Sequence, residues 1–424
     1  MSIPLDTSVS MAWKAAPVRL LRWLRGDDRP LSDLQVSHAI GLARIALIVG
    51  LVFLHYHAYP NSTATPFDGL DPAHHPVATF VNSFVLFFFF SAVPLLSMIS
   101  GWLFFSFPAQ QASQALPRRI RGRFRSLYVP LVFWNAVFMA LLWTLYRLSP
   151  GSELLGELDF RFGQASILDY ANAVFGITHR PVGFQFWFVR DLFVSILVSP
   201  LLWWSLRRSP YVGVAVLGAA WLVGSGLLIF FRTDVVFFFY LGGFLRMRQV
   251  RLEIGPGATL VLLGLYLALV TLRALAPLWI EWEGSRPEWL TGATRAMRLV
   301  GVLACWGLIQ HVASTRAGMA LARQGGLAFF LFALHFPLIA QIKLLLWRWV
   351  PAETDVWMVA HYASSVVLTV AIGMLAGSLL ARHAPGAFAL MNGGRALEGS
   401  SSRAVTASAA STDRPHQGTG AGSP

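Results

Sequence analysis

Apolar runs long enough to carry a helix across a hydrocarbon core of roughly 30 Å recur along most of this chain, separated by Pro, Gly and charged residues. Ten such runs are predicted as membrane helices, at 38–57, 78–106, 126–147, 187–206, 211–230, 234–246, 257–279, 292–313, 325–347 and 357–381. The second is long enough to tilt or to kink at Pro94, and the sixth is short. No repeat of fixed period is apparent. The pattern predicts an all-α, polytopic integral membrane protein of about ten transmembrane helices.

Composition agrees with the pattern. Of 424 residues, 56% are hydrophobic and 12% charged, and the mean hydropathy is +0.59, which disfavours a water-soluble domain of this size. The first 37 residues contain no long apolar run and no small-residue cleavage site, so the first span is expected to be retained rather than removed as a signal peptide. Residues 1–37 read as a cytoplasmic basic leader. Within it, Lys14, Arg19, Arg22 and Arg25 among Trp and Leu fit either a helix lying on an anionic surface or a disordered arm. Residues 38–381 form the membrane domain, and 382–424, rich in Ala, Ser, Gly and Thr, read as a disordered cytoplasmic tail.

A net charge of +13 would suggest nucleic acid in a soluble protein. Here it is explained by topology: with a cytoplasmic N-terminus and ten spans, the inner segments collect most of the Lys and Arg and the outer loops most of the Asp and Glu. Both termini are then cytoplasmic, the arginine-rich RRIRGRFR at 118–125 lies in an inner loop, and 148–186 is the longest outer loop. The partner implied is the lipid bilayer, with no nucleic acid. One cysteine, Cys305, excludes a disulfide framework within the chain. Phosphate-cradling Gly-Lys-Ser/Thr loops, His-Glu-x-x-His zinc helices and Gly-x-Ser-x-Gly turns are absent, which removes support for ATP-driven transport and metallohydrolysis. His74 and His75 beside Asp68 and Asp71 read as a polar loop, and no metal site is assigned.

Ionisable groups at membrane depth are costly and by default mark function. Arg44 and His55 in the first span are eleven residues apart, which returns them to nearly one azimuth after roughly 16 Å of rise. That face either walls a polar cavity or sends each residue to its own interface. Arg190 and Asp191 open the fourth span, as a site or a structural ion pair. His335 lies mid-way along the ninth, and Arg273, Arg295, Arg298 and Lys343 read as mostly snorkelling. Arg118, Arg119, Arg121, Arg123 and Arg125 serve as a topology signal or bind an anion from the cytoplasm.

Several segments, in order, resemble the acyltransferase 3 family of ten-span bacterial membrane enzymes. They are Arg44 with His55, VPLLSMISGWLFF at 93–105, RRIRGRFRSLYVPLVFWN at 118–135, FWFVRDLFVSILVSPLL at 186–202, FFFYLGGFLR at 237–246 and FALHFPL at 332–338. The resemblance extends from about 38 to 381. It implies transfer of an acyl group, often acetyl, from cytoplasmic acyl-CoA to a hydroxyl of a cell-envelope carbohydrate or glycolipid, with Arg44 and His55 essential and no bound cofactor. Many relatives carry an extracytoplasmic hydrolase-like domain after the spans. A short polar tail there implies transfer by the membrane domain alone or with a separate partner.

A sugar hydroxyl needs a base to become nucleophilic at neutral pH, and imidazole suits that task. His55 is the expected base, with Arg190 or His335 as donors to the developing oxyanion. Arg44 and the 118–125 arginines would meet the CoA portion and its phosphates. The rival reading is a transporter or flippase for a lipid-linked sugar, in which the same buried charges bind substrate without bond making.

Overall fold

A computed structural model describes residues 31–62, 64–152, 155, 160–282 and 284–395. The leader arginines, Glu153, Glu157 and Asp159, and the tail after Arg395 lie outside the described residues. All regular structure among the described residues is helical. Among the described residues seven helices are long and apolar enough to cross a membrane, and an eighth span is counted if a bent pair is taken as one. The protein is thus all-α and multi-pass. Each of the ten predicted segments is helical, but Pro210–Val223 and Thr233–Met247 are shorter, at 14 and 15 residues.

Helix α1 (Asp33–His55) starts at a capping box, in which the Ser32 side chain accepts from Gln35 N–H and the Gln35 side chain accepts from Ser32 N–H. The second span is broken into α2 (Pro76–Phe89) and α3 (Ala92–Phe104). The break falls at Phe90, four residues before Pro94, where a proline ring displaces the preceding turn. Next, α4 (Ala112–Arg123) continues through a π-turn at Phe124–Tyr128 into α5 (Val129–Leu148). This corrects the expectation of a loop before the third span. Arginine is a good helix former, so the RRIRGRFR run extends the span instead of interrupting it.

The 148–186 segment contributes α6 (Ile167–Phe175), capped by Ser166 and Asp169. Then come α7 (Trp187–Leu197) and α8 (Ser199–Arg208), bent by 60°, followed by α9 (Pro210–Val223) and α10 (Thr233–Met247). The chain finishes with α11 (Pro256–Ala274), α12 (Glu288–Ala313), α13 (Arg316–Ala322), α14 (Ala328–Trp349), α15 (Asp355–His383) and α16 (Pro385–Met391). Helices α3 and α10 make the most extensive contact. A Cβ at Gly101 would collide with the Phe239 carbonyl, and one at Gly242 with the Met98 carbonyl. Small residues let two backbones touch where lipid supplies no hydrophobic drive to associate. Helix α1 packs against α2, α3, α12 and α14, which bury its apolar residues from Ala39 to Val52 while Arg44 stays open to a cavity.

Candidate active site

Two prolines free backbone carbonyls, and side chains occupy both. Pro337 in α14 cannot donate to Ala333 O, and Gln185 Nε2 donates to that oxygen instead, at 2.8 Å. This bond ties the segment before α7 to α14 and sets Phe184 beside His55, edge-on with centroids 5.6 Å apart. Pro130 in α5 likewise cannot donate to Ser126 O, which receives Arg395 Nη1 at 3.3 Å.

His55, the last residue of α1, meets His335 of α14 across 280 positions of sequence: His55 Nδ1 and His335 Nε2 are 2.9 Å apart. His335 is fully buried, and its Nδ1 lies 2.6 Å from Phe332 O. A carbonyl can only accept, so Nδ1 of His335 carries a proton and its Nε2, in the neutral ring, is an acceptor. His55 must therefore hold its proton on Nδ1, leaving Nε2 of His55 with a lone pair. The tautomer is assigned by this chain of bonds, and it orients an imidazole much as a second group does in a catalytic triad.

The stripe Arg44, Ile48, Leu51 and His55 runs along one face of α1 and lines two cavities in succession. Arg44 and Ile48 border a cavity of about 120 Å³ that also exposes Arg123 and Arg395. Leu51 and His55 border one of about 490 Å³. Phe188 and Phe332 line both and form the wall between them. On the far side of the arginine cavity, a vestibule of about 620 Å³ carries Arg118, Arg119 and Arg123. It shares Phe104 and Arg123 with the arginine cavity. Among the described residues no carboxylate lines the vestibule or the arginine cavity.

The structure sorts the arginines anticipated from sequence. Arg123 lines both compartments. Arg119 is spent on the carbonyls of Leu103, Phe104 and Ser106 and sits over the Phe107 ring. Arg121 and Arg125 are exposed and line neither. Arg395, beyond the last span, was missed by sequence reasoning. Its guanidinium is held by Ser126 O and Asn392 O and covered by Phe329. Burial, and then repulsion from Arg44 and Arg123, pushes its pKa down to about 9.

Arg190 is placed outside both cavities. Its donors go to Gly176 O at 3.0 Å, Ile177 O at 2.7 Å, Ile229 O and Asp191 Oδ1 at 2.9 Å. Asp191 in turn accepts from Phe231 N–H and Arg232 N–H at 3.2 and 2.8 Å, so the pair fastens the turn before α10. Arg273, Arg298 and Lys343 do not snorkel: they are 6%, 5% and 8% exposed. Arg273 binds Thr294 Oγ1 and the carbonyls of Asp68 and Phe67, each at 2.9 Å. Arg298 binds Asp234 Oδ2 at 2.9 Å.

A family model described as an acyltransferase domain matches residues 37–378. The chain is also similar to the succinoglycan biosynthesis protein ExoH of Rhizobium meliloti, with 26% identity over 364 residues that make up 86% of this chain and 94% of that protein. No solved structure matches.

Proposed function

This chain belongs to the acyltransferase 3 family that its span motifs resemble; from that premise we propose that it moves an acyl group, acetyl, from cytoplasmic acyl-CoA to a hydroxyl of a cell-envelope carbohydrate. The membrane is the inner membrane of a bacterium, with both termini inside. The observation that carries the reading is the hydrogen-bonded His55–His335 pair, beside a cavity that shares Phe188 and Phe332 with one rich in arginine. The relative named for succinoglycan biosynthesis supports a carbohydrate acceptor.

In this mechanism the donor enters by the vestibule, its phosphates facing Arg44, Arg123 and Arg395, and its acyl end passes Phe188 and Phe332 toward His55. The acceptor occupies the histidine cavity. His55 Nε2 takes the hydroxyl proton as the oxygen attacks the thioester carbon, His335 holds the Nδ1–H side of the ring, and the C–S bond breaks. The proton then passes from His55 to the departing thiolate of CoA. Arg190 anchors the turn before α10 and acts only through it.

Labelled acetyl-CoA offered to protein in vesicles, with an envelope oligosaccharide on the opposite side, should yield labelled oligosaccharide and free CoA in equal amounts. Accumulation of unlabelled oligosaccharide across the vesicle, with no CoA released, would establish the carrier reading in its place.

The sidedness has its own measurement. In a Cys305→Ser background, Gln164→Cys should react with an impermeant maleimide in intact spheroplasts, and Gln110→Cys only after the inner membrane is opened. The reverse pattern would invert the protein and exclude cytoplasmic acyl-CoA as donor.

A further inference from the structure

The histidine cavity contains charges that the chemistry above does not use. Asp234, in the first turn of α10, is 4% exposed. Its Oδ1 accepts from Trp221 Nε1 at 2.5 Å. Its Oδ2 receives two guanidiniums, from Arg232 at 2.8 Å and from Arg298 at 2.9 Å. All three charged residues line the cavity, together with Lys343. Among the described lining residues, Asp234 is the one carboxylate facing three cations.

One carboxylate oxygen cannot neutralise two guanidiniums, and excess positive charge in a partly dry cavity is costly unless an anion completes it. Two observations mark where that anion belongs. Arg298 is 5% exposed, yet its Nε has no hydrogen-bond partner among the described residues. Arg232, by contrast, has a side chain 42% exposed and lies over the Trp187 ring at 4.9 Å, so its remaining donors reach open space beside an aromatic surface. Phe67, Phe184 and Phe336 complete that surface, giving apolar faces against which a sugar ring can lie.

We infer that this cavity selects an acceptor bearing an anionic oxygen group, a carboxylate or a phosphate on the carbohydrate, which Arg232 contacts while Asp234, itself anchored by Arg298, holds Arg232 in place. The inference rests on the reading that the histidine cavity takes the acceptor. It adds a specificity that deprotonating a hydroxyl does not require. The carboxylate of Asp234 orients the guanidiniums, and the anion pairs with their surplus charge in a planar, two-pronged contact.

The test uses the full chain in nanodiscs and three disaccharide probes: one containing glucuronate, its neutral glucose counterpart, and that counterpart carrying a 1-phosphate. Binding is read from Trp fluorescence, to which Trp187 reports. The anionic probes should bind at least about tenfold more tightly than the neutral one at low salt, as a charge-assisted contact requires. Arg232→Gln should reduce the preference to near unity with little change for the neutral sugar, and raised ionic strength should shrink it. Whichever anionic probe binds more tightly names the source of the charge. Equal affinities in the wild type, or an unchanged preference in Arg232→Gln, overturn the inference alone. If no probe binds while acyl-CoA still does, the assignment of this cavity to the acceptor fails, and the inference with it.

Discussion

His55→Ala should lower kcat for acyl transfer by roughly a hundredfold to ten-thousandfold, the ordinary contribution of a positioned base, while expression and insertion stay normal. The substitution removes the lone pair on Nε2 that the His335 contact keeps available. Little packing is lost, because His55 is half-buried at the end of α1. His335→Ala should also reduce kcat, leaving KM for acyl-CoA unchanged, since its effect is to release the tautomer and orientation of His55. The control is His57→Asn: His57 borders the same cavity but takes no part in the His55–His335 contact, it is exposed with φ of 62°, and Asn tolerates that left-handed conformation. Its activity should remain close to wild type. Near-normal transfer by His55→Ala, with activity abolished in His335→Ala, would move the base to α14.

The common face of Arg44 and His55 could be read from sequence because helical geometry fixes azimuth within one element. Observed lining residues at 44, 48, 51 and 55 follow that face along two cavities. Pro94 similarly announced the break at Phe90. Pro337 held a signal that was overlooked: a proline inside a buried helix leaves the carbonyl four residues earlier in need of a donor, and Gln185 supplies it. Relations between helices were not legible. His55 and His335 are 280 residues apart, and no local pattern indicates that their helices touch. Arg298 was read as snorkelling because azimuth and depth do not tell whether lipid or Asp234 faces a position. The helix through 118–123 was read as a loop because its arginines hide any apolar stripe, although their propensity favours helix. Arg395 follows the last span, where composition alone suggested only a tail.

Neutralising the arginine cavity should weaken the donor without slowing its chemistry. Arg44→Gln, Arg123→Gln and Arg395→Gln should each raise KM for acyl-CoA, by about tenfold to a hundredfold if each removes one charge-assisted contact of ~1.5–3 kcal/mol, with kcat little changed. The three groups share one cavity, so the triple variant should fall short of the product of the singles. Arg121→Gln and Arg125→Gln, on exposed positions away from the cavity, should leave KM nearly unaltered. A second readout separates binding from folding. Three like charges converge with no carboxylate among the described lining residues, and the depressed pKa of Arg395 reports their repulsion as well as its burial. Removing one cation therefore relieves strain in the ligand-free state, and Arg123→Gln should melt at a higher temperature than wild type without substrate. Acyl-CoA should raise the melting temperature of wild type more than that of the variant, because a ligand stabilises in proportion to its affinity for the folded form. Unchanged KM in all three single variants would reduce the cluster to a signal of topology, and a lower melting temperature for Arg123→Gln would make that guanidinium a structural tie.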